Sequence, residues 1–312
     1  MPGDVRSISG APTNGLEPLA VGVFGGVSAF PLRLALERGI FVRHGLDVTV
    51  SLTPSSDALA ASLLADDVQV VHAAPDNFVA WSDRTGEPVV AWIGGSNGPI
   101  ALVARAGREL PGLRAARVGV DAPTSGFAPI LRRILASGGV DVGAVELVEL
   151  GATRNRVVAL MDGSIDATML SLPWSAMAVR DSAHVLADHT SVAPGLLTSA
   201  AGSRRAWLEA NGTIADRYVA ALVEALAILA DPAERSANIA AMAADLGVDE
   251  RLAGEILDLM LGPAGWPRDG AVSVAGMGVV CELRAEVVSA PGGSPETYLD
   301  LDPVARRSGG RP

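Results

Sequence analysis

One histidine–carboxylate spacing in this chain offers acid–base chemistry. His72 closes an apolar run that begins at Val68, and Asp76 lies four residues on. An imidazole titrates near neutrality, so His72 is a candidate general acid or base, or a donor to a ligand anion. Asp76 is placed to orient it or to cap the helix that follows; a buried, hydrogen-bonded histidine is the plainer reading. Arg154 is a candidate for bidentate pairing with a carboxylate or sulfonate, because it falls in the first turn of an expected helix, where the dipole disfavours a cation. A surface arginine is the alternative. His189, beside Asp188, is a third candidate. The four histidines have no metal-ligand spacing, so neither a metal nor a cofactor is expected.

Composition removes other chemistry. All 24 basic residues are arginine. Without lysine there is no Schiff base and no Walker-type phosphate loop. A net charge of −11 argues against nucleic acid as a partner. The lone Cys281 excludes an internal disulfide framework and a cysteine-rich zinc site. Ser28 has no Gly-x-Ser-x-Gly elbow, and the Gly25-Gly26 pair lacks the third glycine of a dinucleotide fingerprint. No run of ~18 apolar residues would span a membrane, and no secretory leader is recognisable. As it stands the chain is expected to be cytoplasmic, and exported only if a leader has been removed.

The elements that must position these groups repeat. Val21-Gly22-Val23 recurs as Val118-Gly119-Val120, Ser28 and Phe30 as Ser125 and Phe127, Leu63 as Leu160, and Val68 as Ile165. One offset, 97 residues, relates every pair. Strands are expected at residues 19–24, 46–52 and 68–72, then at 117–120, 145–150 and 167–170. Helices fill the gaps: Pro31 sits in a first turn, Ser55 or Ser56 and Thr153 are expected caps, and Pro75 and Pro173 open further helices. Alternating strands and helices predict parallel sheets covered on both faces. From about residue 204 the apolar spacing is helical, over 216–230, 249–261 and 274–288.

Ligands of such sheets sit beyond the C-terminal strand ends, where helix N-termini present free N–H groups. The loops there carry the remaining candidates: Gly25, Gly26 and Ser28; Ser55 and Ser56; Asn77; Thr124 and Ser125; Thr153; and Trp174. Trp92 is expected to line the same cleft, whereas Phe30 and Phe127 are expected in the core.

The run Pro31-Leu32-Arg33-Leu34-Ala35-Leu36-Glu37-Arg38-Gly39-Ile40-Phe41, followed by His44-Gly45-Leu46-Asp47-Val48, resembles the start of the solute-binding proteins of ABC importers. The group is the one that binds alkanesulfonates, nitrate and thiamine-pyrimidine precursors. Segments 63–71, 162–169 and 204–210 resemble it too, so the likeness covers roughly 18–302. It implies a two-lobed α/β fold of the type II periplasmic-binding-protein kind, a mostly parallel sheet flanked by helices in each lobe, with a helical C-terminal third. The expected division is a flexible N-terminus at 1–17, lobe one from 18–100 and 196–302, lobe two from 101–195, and a disordered tail at 303–312. The resemblance implies a binder closing over a small organic anion or polar aromatic molecule, with an ABC permease as partner if exported.

Cytosolic enzymes share that fold, and the chain is distantly similar to one of them, aryl sulfinate desulfinase, around Val71-His72 and Leu172-Pro173-Trp174. The nucleophilic cysteine of that enzyme would fall near Gly26, where there is no thiol. The yeast-type pyrimidine synthase would need a lysine. The enzyme alternative is therefore a cofactor-free decarboxylase, lyase or cyclase using His72, with Asp76, in the cleft.

Overall fold

The computed structural model describes residues 15–124, 126–288 and 293–307. The chain opens with β1 (Glu17–Val23), α1 (Phe30–Glu37), α2 (Ile40–Arg43), β2 (Leu46–Leu52), α3 (Ser56–Leu64), β3 (Val70–Ala73), α4 (Pro75–Thr85) and β4 (Val89–Ser96). It crosses to β5 (Ile100–Ala104), β6 (Arg117–Val120), α5 (Ala128–Ser137), β7 (Glu146–Glu149), α6 (Thr153–Met161), β8 (Ala167–Ser171), α7 (Trp174–Arg180) and β9 (His184–Asp188). It returns through β10 (Ser199–Arg204) to α8 (Arg205–Ala210), α9 (Gly212–Ala230), α10 (Arg235–Leu246), α11 (Glu250–Leu261), α12 (Val274–Val288) and α13 (Asp302–Arg307).

Local chemistry explains the breaks. Pro31 sits in the first turn of α1, and Gly39, at φ 62°, takes the left-handed conformation that lets the chain turn into α2. Ser55 caps α3, its Oγ accepting the Ala58 N–H at 3.1 Å, and Asp249 caps α11 in the same way. Thr153 departs from expectation: Ala152 holds the cap position of α6, and Thr153 is the first helical residue. Its Oγ1 instead accepts a bond from Arg156.

Two sheets form, in the orders β2-β1-β3-β10-β4 and β7-β6-β8-β5-β9. The orders correspond strand for strand, with β1 and β6 related by the 97-residue offset. In each sheet four strands run one way. The fifth, β10 or β5, is antiparallel to both neighbours. Each sheet is therefore mostly parallel, as expected, with one strand reversed. Those two strands follow the crossovers between sheets, and their direction is set by where the chain re-enters. The strands β4 and β5 are buried throughout, while β2 and β7 at the edges are partly exposed.

Close packing on the sheets depends on paired glycines. A Cβ at Gly22 would lie 2.5 Å from Leu59, and one at Gly119 would lie 2.6 Å from Ile165. Both glycines let a covering side chain rest on strand backbone. The C-terminal helices complete the first lobe: α9 packs on α1, and α13 packs on α9. Part of the expected disordered tail, 303–307, instead belongs to α13, with Val304 buried; 308–312 lie outside the described residues. Helix α12 packs on both α4 and α5, so it touches both lobes. No helix among the described residues is long and apolar enough to cross a membrane.

Candidate functional site

The C-terminal ends of the strands in the two sheets face each other across a cavity with about 780 Å³ of empty space, part of it open to solvent. The first lobe contributes Phe24, Gly25 and Ser28 after β1, His72 at the end of β3, and Asn77 in the first turn of α4. The second contributes Asp121 and Phe127 after β6, and Thr153 and Arg156 from α6. The crossovers add Ser96, Thr198 and Ser199, and α11 adds Met260. A smaller space of about 280 Å³ adjoins it, sharing Ala74, Ile100, Gly126, Phe127 and Thr198, and holds Asp76 against mostly apolar walls.

The lobes touch in this structure. The Ala152 N–H donates to Pro54 O at 2.9 Å, and the Val27 N–H donates to Leu172 O at 3.4 Å. Gly151 permits the first of these, since a Cβ there would stand 2.6 Å from the Pro54 oxygen. The Ser56 N–H, at the N-terminus of α3, donates to Asp121 Oδ1 at 3.4 Å. At the rim Arg180 pairs with Asp249 at 2.7 Å.

On the first wall, His72 is buried, and its Nε2 lies 2.8 Å from the hydroxyl of fully buried Tyr218. Burial, with the Arg33 charge nearby, lowers its pKa to about 4, so the imidazole is neutral at pH 7. Its Nδ1 has no hydrogen-bond partner. The same is true of the Asn77 Oδ1 and of both carboxyl oxygens of Asp76. Burial raises the Asp76 pKa to about 7; the Arg284 guanidinium, 3.8 Å away, and the Gly126 N–H oppose that rise, and Asp83 adds to it. Asp76 does not orient His72, whose ring bonds Tyr218 instead. It stands in the first turn of α4 without acting as its cap.

On the second wall, Arg156 is 3% exposed. Its Nε donates to Gly151 O at 3.1 Å, Nη1 to Met169 O at 2.6 Å and Nη2 to Thr153 Oγ1 at 2.8 Å. The guanidinium lies 6.0 Å from the centre of the Phe127 ring. Burial lowers its pKa to about 10, opposed by Asp121, so it stays charged at neutral pH.

Of the residues singled out from sequence, Gly25, Ser28, His72, Asn77 and Thr153 line the cavity. Gly26 frames it from outside, its carbonyl accepting Arg33 Nη2 at 2.9 Å. Ser55 serves as a cap and Ser56 as a donor to Asp121. The Thr124 carbonyl accepts Arg284, and Ser125 lies outside the described residues. His189 is buried, and its Nδ1 accepts the Ile100 N–H at 3.2 Å beside the crossover. Trp92 is a correction: it is wholly buried in the first lobe, donating to Ser203 Oγ at 3.0 Å and packing on Tyr218. Arg154 is another. It is exposed and, with Trp174, lines an outer groove between α6, α7 and the start of α11. Phe127, expected in the core, lines the cavity.

Arg156 and Asp121 were missed. A signal for Arg156 existed. It lies four residues before Leu160 and three after Thr153, so it shares their helix face. Its counterpart 97 residues earlier is Leu59, a member of the apolar stripe.

Solved structures similar to this chain fall in one fold group. A protein of Bordetella bronchiseptica RB50 superimposes with a TM-score of 0.79 at 20% identity, covering 94% of this chain and 97% of its own. The alkanesulfonate-binding protein SsuA from Xanthomonas axonopodis pv. citri, bound to MOPS, matches with a TM-score of 0.75 at 18% identity over 93% and 100%. The periplasmic nitrate-binding protein NrtA from Synechocystis PCC 6803 matches with a TM-score of 0.74 at 12% identity over 94% and 89%. No curated protein sequence matches the chain. A family model matches residues 13–244, which hold every strand of both sheets and all but one of the residues lining the cavity: the chain belongs to the NMT1-like family.

Proposed function

We propose that the protein is a solute-binding component of an importer, closing its two lobes over one small polar molecule and presenting the closed form to an ABC permease. The observation that carries this reading is the cavity of about 780 Å³ at the strand ends, bridged by backbone bonds between the lobes. A site built from loops of two lobes is made and unmade by their relative motion, which suits capture and release. Binding of an alkanesulfonate by the Xanthomonas protein and of nitrate by the Synechocystis protein agrees with this class of function.

Acid–base catalysis by His72 is less well supported. Its neutral ring carries no proton to give as an imidazolium at pH 7, and no carboxylate orients it. Native mass spectrometry of the purified protein tests the choice. Binding predicts one retained small molecule, recovered unchanged after denaturation, and a smaller radius of gyration with ligand than without. A molecule recovered chemically altered after incubation would favour an enzyme.

A further inference from the structure

The unsatisfied groups of the cleft and its charge balance describe the ligand, if the protein is a solute binder as proposed above. Among the described residues lining the two adjoining cavities, the buried polar side-chain atoms without partners are Asp76 Oδ1 and Oδ2, Asn77 Oδ1 and His72 Nδ1. The side chains are nine-tenths buried or more, with Asn77 at 1% exposure and His72 and Asp76 at 6%. Asn77 Oδ1 only accepts, and the Asp76 carboxyl offers two acceptors when ionised, or one acceptor and one O–H donor when protonated. His72 Nδ1 accepts or donates according to which way the Tyr218 hydroxyl hydrogen points. Leaving buried polar atoms unpaired is unfavourable, so a ligand that pairs with them is selected over one that cannot.

Charge points the same way. The ionisable residues on the two linings are His72, Asp76, Asp121 and Arg156. Arg156 faces Asp121, Asp76 faces Arg284, and His72 is neutral at pH 7. An anion would enter without a free cation to compensate it, and a cation would lie beside the Arg156 guanidinium without a free counter-charge.

We infer that the ligand is an uncharged molecule carrying N–H donors, of the amide, urea or lactam type, which it presents to Asn77 and Asp76 on the first lobe. Phe24 and Phe127, one from each lobe, give it apolar contact. Arg156 holds the second wall together and meets the ligand as a secondary contact.

The test is a thermal-shift and calorimetric screen of the full chain against three size-matched sets of small molecules. One set holds uncharged N–H donors, one anions including alkanesulfonates and nitrate, and one ammonium and amidinium cations; benzamide, benzoate and benzamidinium form a matched triplet across them. Stabilising hits should fall in the uncharged set, and the best of them should bind at least tenfold more weakly to Asn77→Leu and to Asp76→Asn. Exposed Arg154→Ala should bind it as the wild type does. Each variant is checked for an unchanged fold by circular dichroism and melting. Hits concentrated among anions or cations overturn the ligand inference and leave the binding function standing. So do uncharged hits with affinity unaltered in both cleft variants. If no compound of any set binds and the purified protein carries no ligand in its native mass spectrum, the binding function falls, and the inference with it.

Discussion

Ninety-seven residues apart, two walls with the same backbone plan carry opposite chemistry. Where the first lobe has Phe24 and Leu59, the second has Asp121 and Arg156. Where the first has His72, Asp76 and Asn77, the second has Met169, Pro173 and Trp174. The second wall therefore holds a buried arginine that feels the Asp121 charge and is satisfied by Gly151, Met169 and Thr153. The first holds polar groups with open valences. Equal strand order does not mean equal roles: one wall is braced internally, and the other is left available for recognition.

The largest effect should come from breaking the braced wall. Arg156→Met leaves Asp121 buried without its counter-charge and three oxygens without a donor, and should cost ~3–5 kcal/mol in denaturant unfolding. Importing the first lobe's pair, Asp121→Phe with Arg156→Leu, should recover much of that loss, because the apolar pair needs no partner. Failure of the double variant to recover would show that the pair serves more than local stability.

The available wall should respond to pH. The folded chain keeps the Asp76 proton up to about pH 7, while the unfolded chain releases it near 3.8. Stability therefore falls as pH rises across that window, by at most about 4 kcal/mol. Asp76→Asn should remove this loss and leave the protein more stable than wild type at pH 8, seen as a raised melting temperature. His72 acts in the other sense. The unfolded chain protonates it below 6.5, and the folded chain only near 4. Its neutral burial is fully stabilising above 6.5, and about 3 kcal/mol is lost as pH falls to 4. The two slopes oppose each other between pH 4 and 6.5. His72→Gln should uncover a steady decline from pH 4 to 7, and a flat profile would refute the assignment of Asp76. The smallest effect is reserved for Arg154→Ala, which should change stability by less than ~0.5 kcal/mol as an exposed site remote from these networks.

Much of this comparison was legible in the chain itself. Short-range patterns placed β2 and β6 to the residue and narrowed the α3 cap to Ser55 or Ser56, of which Ser55 caps, and the repeat pointed to matching lobes. His72 and Asn77 were found because strand ends and following turns are local features. Trp92 was misplaced because its neighbour β10 lies more than a hundred residues away, and pairing at that distance has no local signature. Arg154 was singled out on the dipole argument alone, and Arg156 was overlooked. Two residues along a helix turn the side chain by about 200°, so the first points to solvent and the second into the cleft.

By itself the sequence determined the alternation of strands and helices, the repeat, and the removal of lysine- and thiol-based chemistry, since these follow from composition and near-neighbour periodicity. Only the tertiary structure decided that β5 and β10 run against their neighbours and that Asp121 reaches the N-terminus of α3. It alone left buried oxygens of Asp76 and Asn77 short of hydrogen bonds while filling those of Arg156. Such outcomes depend on which groups distant in the chain are brought within about 3 Å of each other, and hydrogen bonding and desolvation are settled at that range.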